Sequence, residues 1–217
     1  MKKVVLALGL LLVILFGYTA YFIQSHQTDY SFELESVDID ATVEVVFDDM
    51  AVPHIYAESE NDAMYALGYV HAMERLWQMD LLRRAGAGEL SALLGEDMVP
   101  NDQFLRTLGM REGANRVTAE FLANGPQRIK DGMAAYLAGV NRFIEEDRAP
   151  LEYILLGQDP EPFDTHDIYC ASGFMAYSFA IHLKTEPILD WMKQNFDSAY
   201  MADLALGPDG FTRIPDT

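Results

Sequence analysis

The chain holds a single cysteine, Cys170, so no disulfide framework can staple it. It is also short of basic residues: 15 Lys and Arg stand against 34 Asp and Glu, a formal net charge of −19. Binding to nucleic-acid phosphates needs clustered Lys and Arg, and the sequence has no such run, which argues against a nucleic-acid partner. The acidity reads as a solvated surface. No internal repeat or low-complexity block interrupts the chain. Common catalytic signatures are missing too: there is no Gly-x-Ser-x-Gly elbow, phosphate loop or HExxH helix. His71 and Glu74 stand three apart without that metal-binding order and read as a solvated or salt-bridged stripe. Cys170 lies in an apolar stretch with no strong activating partner in the sequence, which suits a small buried hydrophobe better than a nucleophile.

What is present comes in long periodic segments. Half of the 217 residues are hydrophobic, enough for one domain with a sizeable core and too many for a disordered chain. Lys2 and Lys3 precede a nearly uncharged run from Val4 to Ile23. A basic start before such a run reads as a secretory signal, and its length also suffices to cross a bilayer. Small-x-small cleavage sites are poor, since Tyr18 stands upstream of Ala20, so residues 1–24 read as a signal peptide or, preferably, an uncleaved signal-anchor with the lysines inside. A polar tether at 25–36 leads to the body at 37–217, which is expected to be extracytoplasmic.

The body opens with Thr42 to Phe47, β-branched and aromatic, read as a strand, and His54-Ile55-Tyr56, a second one that Pro53 can start. His54 is expected to fix backbone geometry. Glu60, Asn61 and Asp62 suit the positive end of a helix. From there Ala66, Tyr69, Val70, Met73, Leu76 and Trp77 share one helical face, with His71, Glu74, Arg75 and Gln78 opposite. Arg83 and Arg84 fit the helix end as dipole partners, and Gly86 and Gly88 read as stop signals. Glu89 to Leu94 gives a short helix ended by Gly95. Arg111 to Phe121 and Pro126 to Glu146 give two more, split at Asn124-Gly125-Pro126. Asp164-Thr165 caps a helix to about Leu183, Glu186 to about Phe196 continues, and Ser198 to Leu206 closes the series before a loop at 207–217.

These residues carry a resemblance. Ala51-Val52-Pro53-His54-Ile55 is followed in one register by Asp62-Ala63, Gly68-Tyr69-Val70-His71-Ala72, Glu74-Arg75, Gln78-Met79, Arg83-Arg84, Gly88, Leu90 and Gly95. Asp102, Arg106 and Gly109 come next, then Pro150 to Gly157 with Pro162, Phe163 and Asp167. The pattern, across roughly residues 40 to 205, resembles the first chain of the penicillin-acylase family of N-terminal-nucleophile amidohydrolases, which includes acyl-homoserine-lactone acylases. Ala51 replaces the usual glycine, and Met73-Glu74 the common Gln-Asp.

The resemblance implies a mainly α chain with short N-terminal β-strands, forming the α-subunit part of an αββα hydrolase. It implies cleavage of a linear amide in a small-molecule N-acyl substrate by a serine at the start of a separate β chain from the same precursor, so no catalytic residue is expected on this chain. It implies an acyl-pocket wall in which Phe179 and Leu183 face the acyl group and His182 takes a position often held by arginine; core packing is the alternative for the first two, and a helix-dipole partner for the third. It implies that Glu186 ligates Ca²⁺ with ligands from the other chain, the alternative being an ordinary acid at a helix start before Pro187. Periplasmic location, with attachment to the membrane through 4–23, follows from the same comparison. The competing reading is a noncatalytic, membrane-anchored helical fragment that binds a partner or is a remnant.

Overall fold

The two β-branched segments form one antiparallel hairpin. Strand β1 (Glu44–Phe47) pairs with β2 (Pro53–Tyr56), Phe47 opposite Pro53 and Glu44 opposite Tyr56. Pro53 lacks an amide donor and takes the strand start, as expected. The hairpin loop is tied by Asp48, whose carboxylate accepts from the Met50 and Val52 N–H groups at 2.9 Å each. His54 Nε2 lies 3.3 Å from the other Asp48 oxygen, so it does brace backbone geometry. These N–H groups, and then His54, hold the Asp48 carboxyl below its usual pKa. Ala51 sits at φ 58°, in the left-handed region where an L side chain is strained and glycine is at ease.

The computed structural model describes residues 2–25, 30, 33–34, 38–146, 148–180 and 182–203. Within the helices, the side chains of 2–8, 23–25, 182–184 and 202–203 fall outside that description, as do most of the tether and the loop at 207–217. Helix α1 (Lys2–Ser25) is continuous over 24 residues. Among the described residues no helix is long and apolar enough to cross a membrane. The described side chains of α1 run only from Gly9 to Phe22, so both ends of the apolar run read at 4–23 lie outside them.

The long helix α2 (Glu60–Ala87) starts at Ser59, whose hydroxyl accepts from the Asp62 N–H at 3.0 Å. It is kinked at Arg75. Its apolar face is the one the periodicity predicts: Tyr69, Val70, Met73 and Leu76 are buried with Ala72, packed on Leu137, Val140 and Phe143 of α6 (Gln127–Glu145). Two glycines let these helices meet backbone to backbone. A Cβ on Gly68 would stand 1.9 Å from the Tyr136 carbonyl oxygen, and one on Gly139 would stand 2.0 Å from that of Tyr65. The Gly-Tyr-Val-His-Ala run is therefore scaffold: its glycine admits α6, Tyr69 donates to Glu146 at 2.9 Å, and His71 Nδ1 meets the Tyr136 hydroxyl at 3.1 Å.

Gly88 ends α2 in the left-handed conformation at φ 66°, as a C-cap should. Gly86 does not act as a stop: it is inside the helix, where a Cβ would lie 2.0 Å from the Cys170 carbonyl oxygen. Next come α3 (Leu90–Leu94), a 3-10 turn at Glu96–Met98, α4 (Val99–Thr107) and α5 (Met110–Asn124). The Asp–Arg–Gly run joins them. Asp102 accepts from the Leu90 and Ser91 N–H groups at 2.8 Å each and so caps α3 from a neighbouring helix. Arg106 donates to the Gly88 carbonyl at 2.8 Å, and Gly109 turns the chain at φ 68°. A short helix α7 (Leu151–Leu156) precedes α8 (Thr165–Phe179), which stops short of the expected Leu183.

The chain divides into two compact parts, Met1–Gly173 and Phe174–Thr217. The second holds α9 (His182–Asn195) and α10 (Ser198–Asp203); residues 204–206, expected to extend α10, lie outside the described residues. Helix α9 begins before Glu186, so Pro187 is inside it instead of in its first turn. That removes the helix-start explanation for Glu186. The architecture is mostly helical with one two-stranded sheet.

Candidate functional site

The residues expected to touch an acyl group lie on α8 and α9. Phe179 ends α8 and is 76% exposed. The side chains of His182 and Leu183 lie outside the described residues. Glu186 is exposed on α9, and its carboxylate is open to a cation. One carboxylate is at most two of the six to eight oxygens that Ca²⁺ takes. Among the described residues the one group of three within ligating reach is Asp164, His166 and Asp167, whose atoms lie within 4.8 Å of one another, and Glu186 is not in it. Those three are already engaged: Asp164 caps α8 by accepting from the Asp167 N–H at 3.1 Å, and Asp167 holds a guanidinium at 2.8 Å. Glu186 therefore fits calcium by donor type, but a site there requires further oxygens from outside these residues.

The end of α2 carries a feature that the sequence reading missed. Arg83 and Arg84 were expected to be dipole partners at a helix end, yet Arg83 is 5% exposed. Its Nε donates to Asp80 at 2.7 Å, its Nη1 to the Pro162 carbonyl and to Asp167 at 2.8 Å each, and its Nη2 to the Glu161 carbonyl at 3.0 Å. The guanidinium lies 3.8 Å from the Phe163 ring centroid. Asp80 is fully buried and also accepts from Arg84 at 2.9 Å and from the Tyr153 hydroxyl at 2.8 Å. Burial opposes the Arg83 charge, but Asp167 and Asp80 outweigh it and hold its pKa above the ordinary value. Burial and then the Asp80 charge push the Tyr153 phenol far up, so it stays a donor. Arg84 reaches Glu161 at 2.9 Å, and Asn141 makes two bonds to the backbone of Phe163, at 2.9 and 2.7 Å. The one available signal was the Asp80–Arg83–Arg84 spacing, which places opposite charges one turn apart.

Cys170 is fully buried, with Sγ 3.5 Å from His166 Nε2. Burial and the Asp167 charge push its thiol up to about 11. At neutral pH it is a protonated, inert core residue.

This scaffold matches a known family. The profile described as Penicillin amidase aligns with residues 42–210, more than half of the chain. The chain belongs to the penicillin amidase family. Among its relatives, penicillin acylase 2 proenzyme of Pseudomonas sp. (strain SE83) is 42% identical over 127 residues, which is 58% of this chain and 16% of that protein. Acyl-homoserine lactone acylase QuiP of Pseudomonas fluorescens (strain Pf0-1) is 33% identical over 130 residues, 58% of this chain and 15% of that one. A solved thermostable penicillin G acylase from Alcaligenes faecalis superposes with a TM-score of 0.57 at 27% identity, covering 81% of this chain and 93% of that chain. The chain thus spans about a sixth of the length of the curated relatives it matches. Family membership makes it part of a hydrolase lineage that acts on acyl amides.

Proposed function

We propose that this chain is the α-chain portion of an αββα amidohydrolase whose serine nucleophile begins a separate β chain cut from the same precursor. The observation that carries the reading is one of coverage: a match over 81% of this chain fills 93% of the chain in the solved penicillin G acylase, whereas the 127 residues matched in the penicillin acylase 2 proenzyme are only 16% of it. A short chain in the mature enzyme and a long precursor reconcile the two figures.

In this reading the β chain's serine hydroxyl attacks the amide carbonyl of an N-acyl compound, with its own α-amine as base. An α-amine titrates near neutrality, so much of it is unprotonated at working pH. Water then releases the carboxylic acid, and the amine has already left. This chain supplies binding. Phe179, with Leu183 beside it in sequence, offers an apolar surface suited to an aliphatic or aromatic acyl group, as in penicillins or acyl-homoserine lactones. His182 takes a position that an arginine often holds in the family. Glu186 contributes one carboxylate to a Ca²⁺ site completed by the β chain; the ion would brace the chain pair and takes no part in the bond cleavage. The apolar run at 4–23 exports the protein to the periplasm and holds it at the inner membrane.

The test reads the DNA beyond codon 217 and the mass spectrum of the native product. A second chain that begins with serine, co-purifies with this one and hydrolyses an N-acyl amide supports the proposal. A product of this chain alone, without amidase activity, would leave the noncatalytic anchored fragment as the reading.

A further inference from the structure

We propose that the segment after the N-terminal helix is no free tether: it is docked on the body at Tyr30 and Leu34, is pinned behind them at Asp40, and so holds the face formed by the hairpin and α2 toward the lipid surface. The orientation rests on the reading of 4–23 as a membrane segment; the docking does not. By composition alone 25–36 is a polar linker, which ordinarily trails in solvent. The structure instead gives it three attachments. The Tyr30 ring lies against Phe47 of β1, with centroids 4.6 Å apart. Its hydroxyl bonds to Glu74 of α2, and that bond and then burial hold the phenol above its usual pKa. Glu74, which reads from sequence as part of a solvated stripe, is half-buried. Leu34 packs on the core that holds Tyr69 and Val70. The Asp40 N–H donates at 2.9 Å to Asp62, a buried carboxylate in the first turn of α2.

Tyr30, Leu34 and Ile39 line one cavity of about 390 Å³ together with Phe47, Tyr65 and Tyr69. The docked residues therefore lie in the cleft between the hairpin and α2. Apolar side chains stay in such a cleft because leaving it returns their surface to water, and the ring pair adds direction. Helix α1 ends at Ser25. From Ser25 to Tyr30 the chain reaches at most about 18 Å, whereas a tether free as far as Glu44 would let β1 roam up to about 65 Å from the helix end. Docking shortens the leash and fixes the point on the body where it is tied. The far end of the body is turned away, since α2 runs on from Val70 to Gly88 for roughly 25 Å before α4.

The test uses the full chain, with its β chain if one co-purifies, as wild type and as the paired variant Tyr30→Ser with Leu34→Ser. In detergent, a glutamate-specific protease reports the tether through cleavage after the exposed Glu33. The paired variant should be cut there at least about tenfold faster, because cleavage follows the population of the open segment, and a rate within about twofold of wild type overturns the docking. Hydrogen exchange at the Asp40 amide tests the wild type by itself, in case the variant does not fold. Slowing of at least about 100-fold relative to an unstructured chain supports the docking, and free exchange overturns it. Orientation is read in phosphatidylcholine vesicles, by energy transfer to acceptors on the lipid headgroups from a dye at Val46→Cys on the hairpin or at Gln103→Cys on α4. With α4 roughly 25 Å further along, transfer from the hairpin should be at least about threefold stronger in the wild type, and the two should converge in the paired variant. Equal transfer in the wild type overturns the orientation. A wild-type chain that does not enter the vesicles fails the membrane reading of 4–23 and the orientation with it, and proteolysis and exchange then decide the docking alone.

Discussion

The α2–α8 body and the pair α9–α10 treat their apolar and charged residues in opposite ways. In the body, Leu76, Val140 and Tyr153 are sealed inside, and the fully buried carboxylate of Asp80 has three donors. In α9, α10 and the turn between them, Ile188, Trp191, Phe196 and Tyr200 are exposed. Among these the ring contacts are with one another: Trp191 edge-on to Phe196 at 5.8 Å, and Phe196 stacked on Tyr200 at 4.6 Å. Large aromatics left in solvent mark a surface made for something else, whereas the body encloses a core of its own. The difference teaches that self-sufficiency and function are divided along this chain: the family's fixed residues build the body, and the residues proposed to bind sit where packing is incomplete.

The sharpest way to break this contrast is Arg83→Met, which leaves Asp80 buried with Arg84 and Tyr153 alone. We expect a loss of about 3 kcal/mol in urea unfolding; a loss below about 1 kcal/mol would show that the body does not depend on its charges. Gly139→Ala forces a Cβ into the Tyr65 carbonyl and should cost about 1–3 kcal/mol. Gly132→Ala on the same helix meets nothing nearer than Met64 Cγ at 3.7 Å and should be neutral or gain up to about 1 kcal/mol, read by thermal melts.

Trp191→Gln inverts the expectation. The chain's own stability should move by less than about 0.5 kcal/mol, while affinity for the proposed β chain, by calorimetry, should fall by about 2 kcal/mol. Equal losses in both would make Trp191 core. Ala51→Gly relieves the left-handed strain in the hairpin and should add about 0.5–1 kcal/mol, the part of the strain that the greater freedom of unfolded glycine does not offset.

The smallest effect is in acid. The Asp40 N–H bond, against the opposing pull of burial, holds the Asp62 carboxyl below its ordinary pKa. Its contribution is therefore complete above the unfolded value of about 3.9 and is lost as pH falls through the lower folded value. Asp62→Asn should flatten the acid limb of a stability–pH curve without altering it near pH 7; an unchanged limb would remove Asp62 from the account.

Much of the body was legible in the sequence, because period and punctuation are local. The α2 face, Pro53 at a strand start, Gly88 as a cap and the break at 124–126 all follow from neighbours in the chain. Gly68, Gly86 and Gly139 were not legible as contact points, since a glycine that admits another backbone looks like one that ends a helix. Arg83 was misread for a related reason: a cation in a last helical turn ordinarily faces water, and its decisive partner Asp167 is 84 residues away. The expected helix start at Glu186 failed because Pro187 is tolerated inside α9. Phe179 reads from sequence as core or pocket alike, because an apolar side chain at a helix end suits both.

That 84-residue separation also has a temporal side. A ribosome adds about 5–20 residues per second, so Asp167 emerges roughly 4–17 seconds after Arg83. Through that interval the end of α2 carries charges without their later partners and stays solvated and unlocked. The network around Arg83 closes only once α6, α7 and the start of α8 have emerged. Synthesis thus completes the partners of that network before α9 and α10 leave the ribosome.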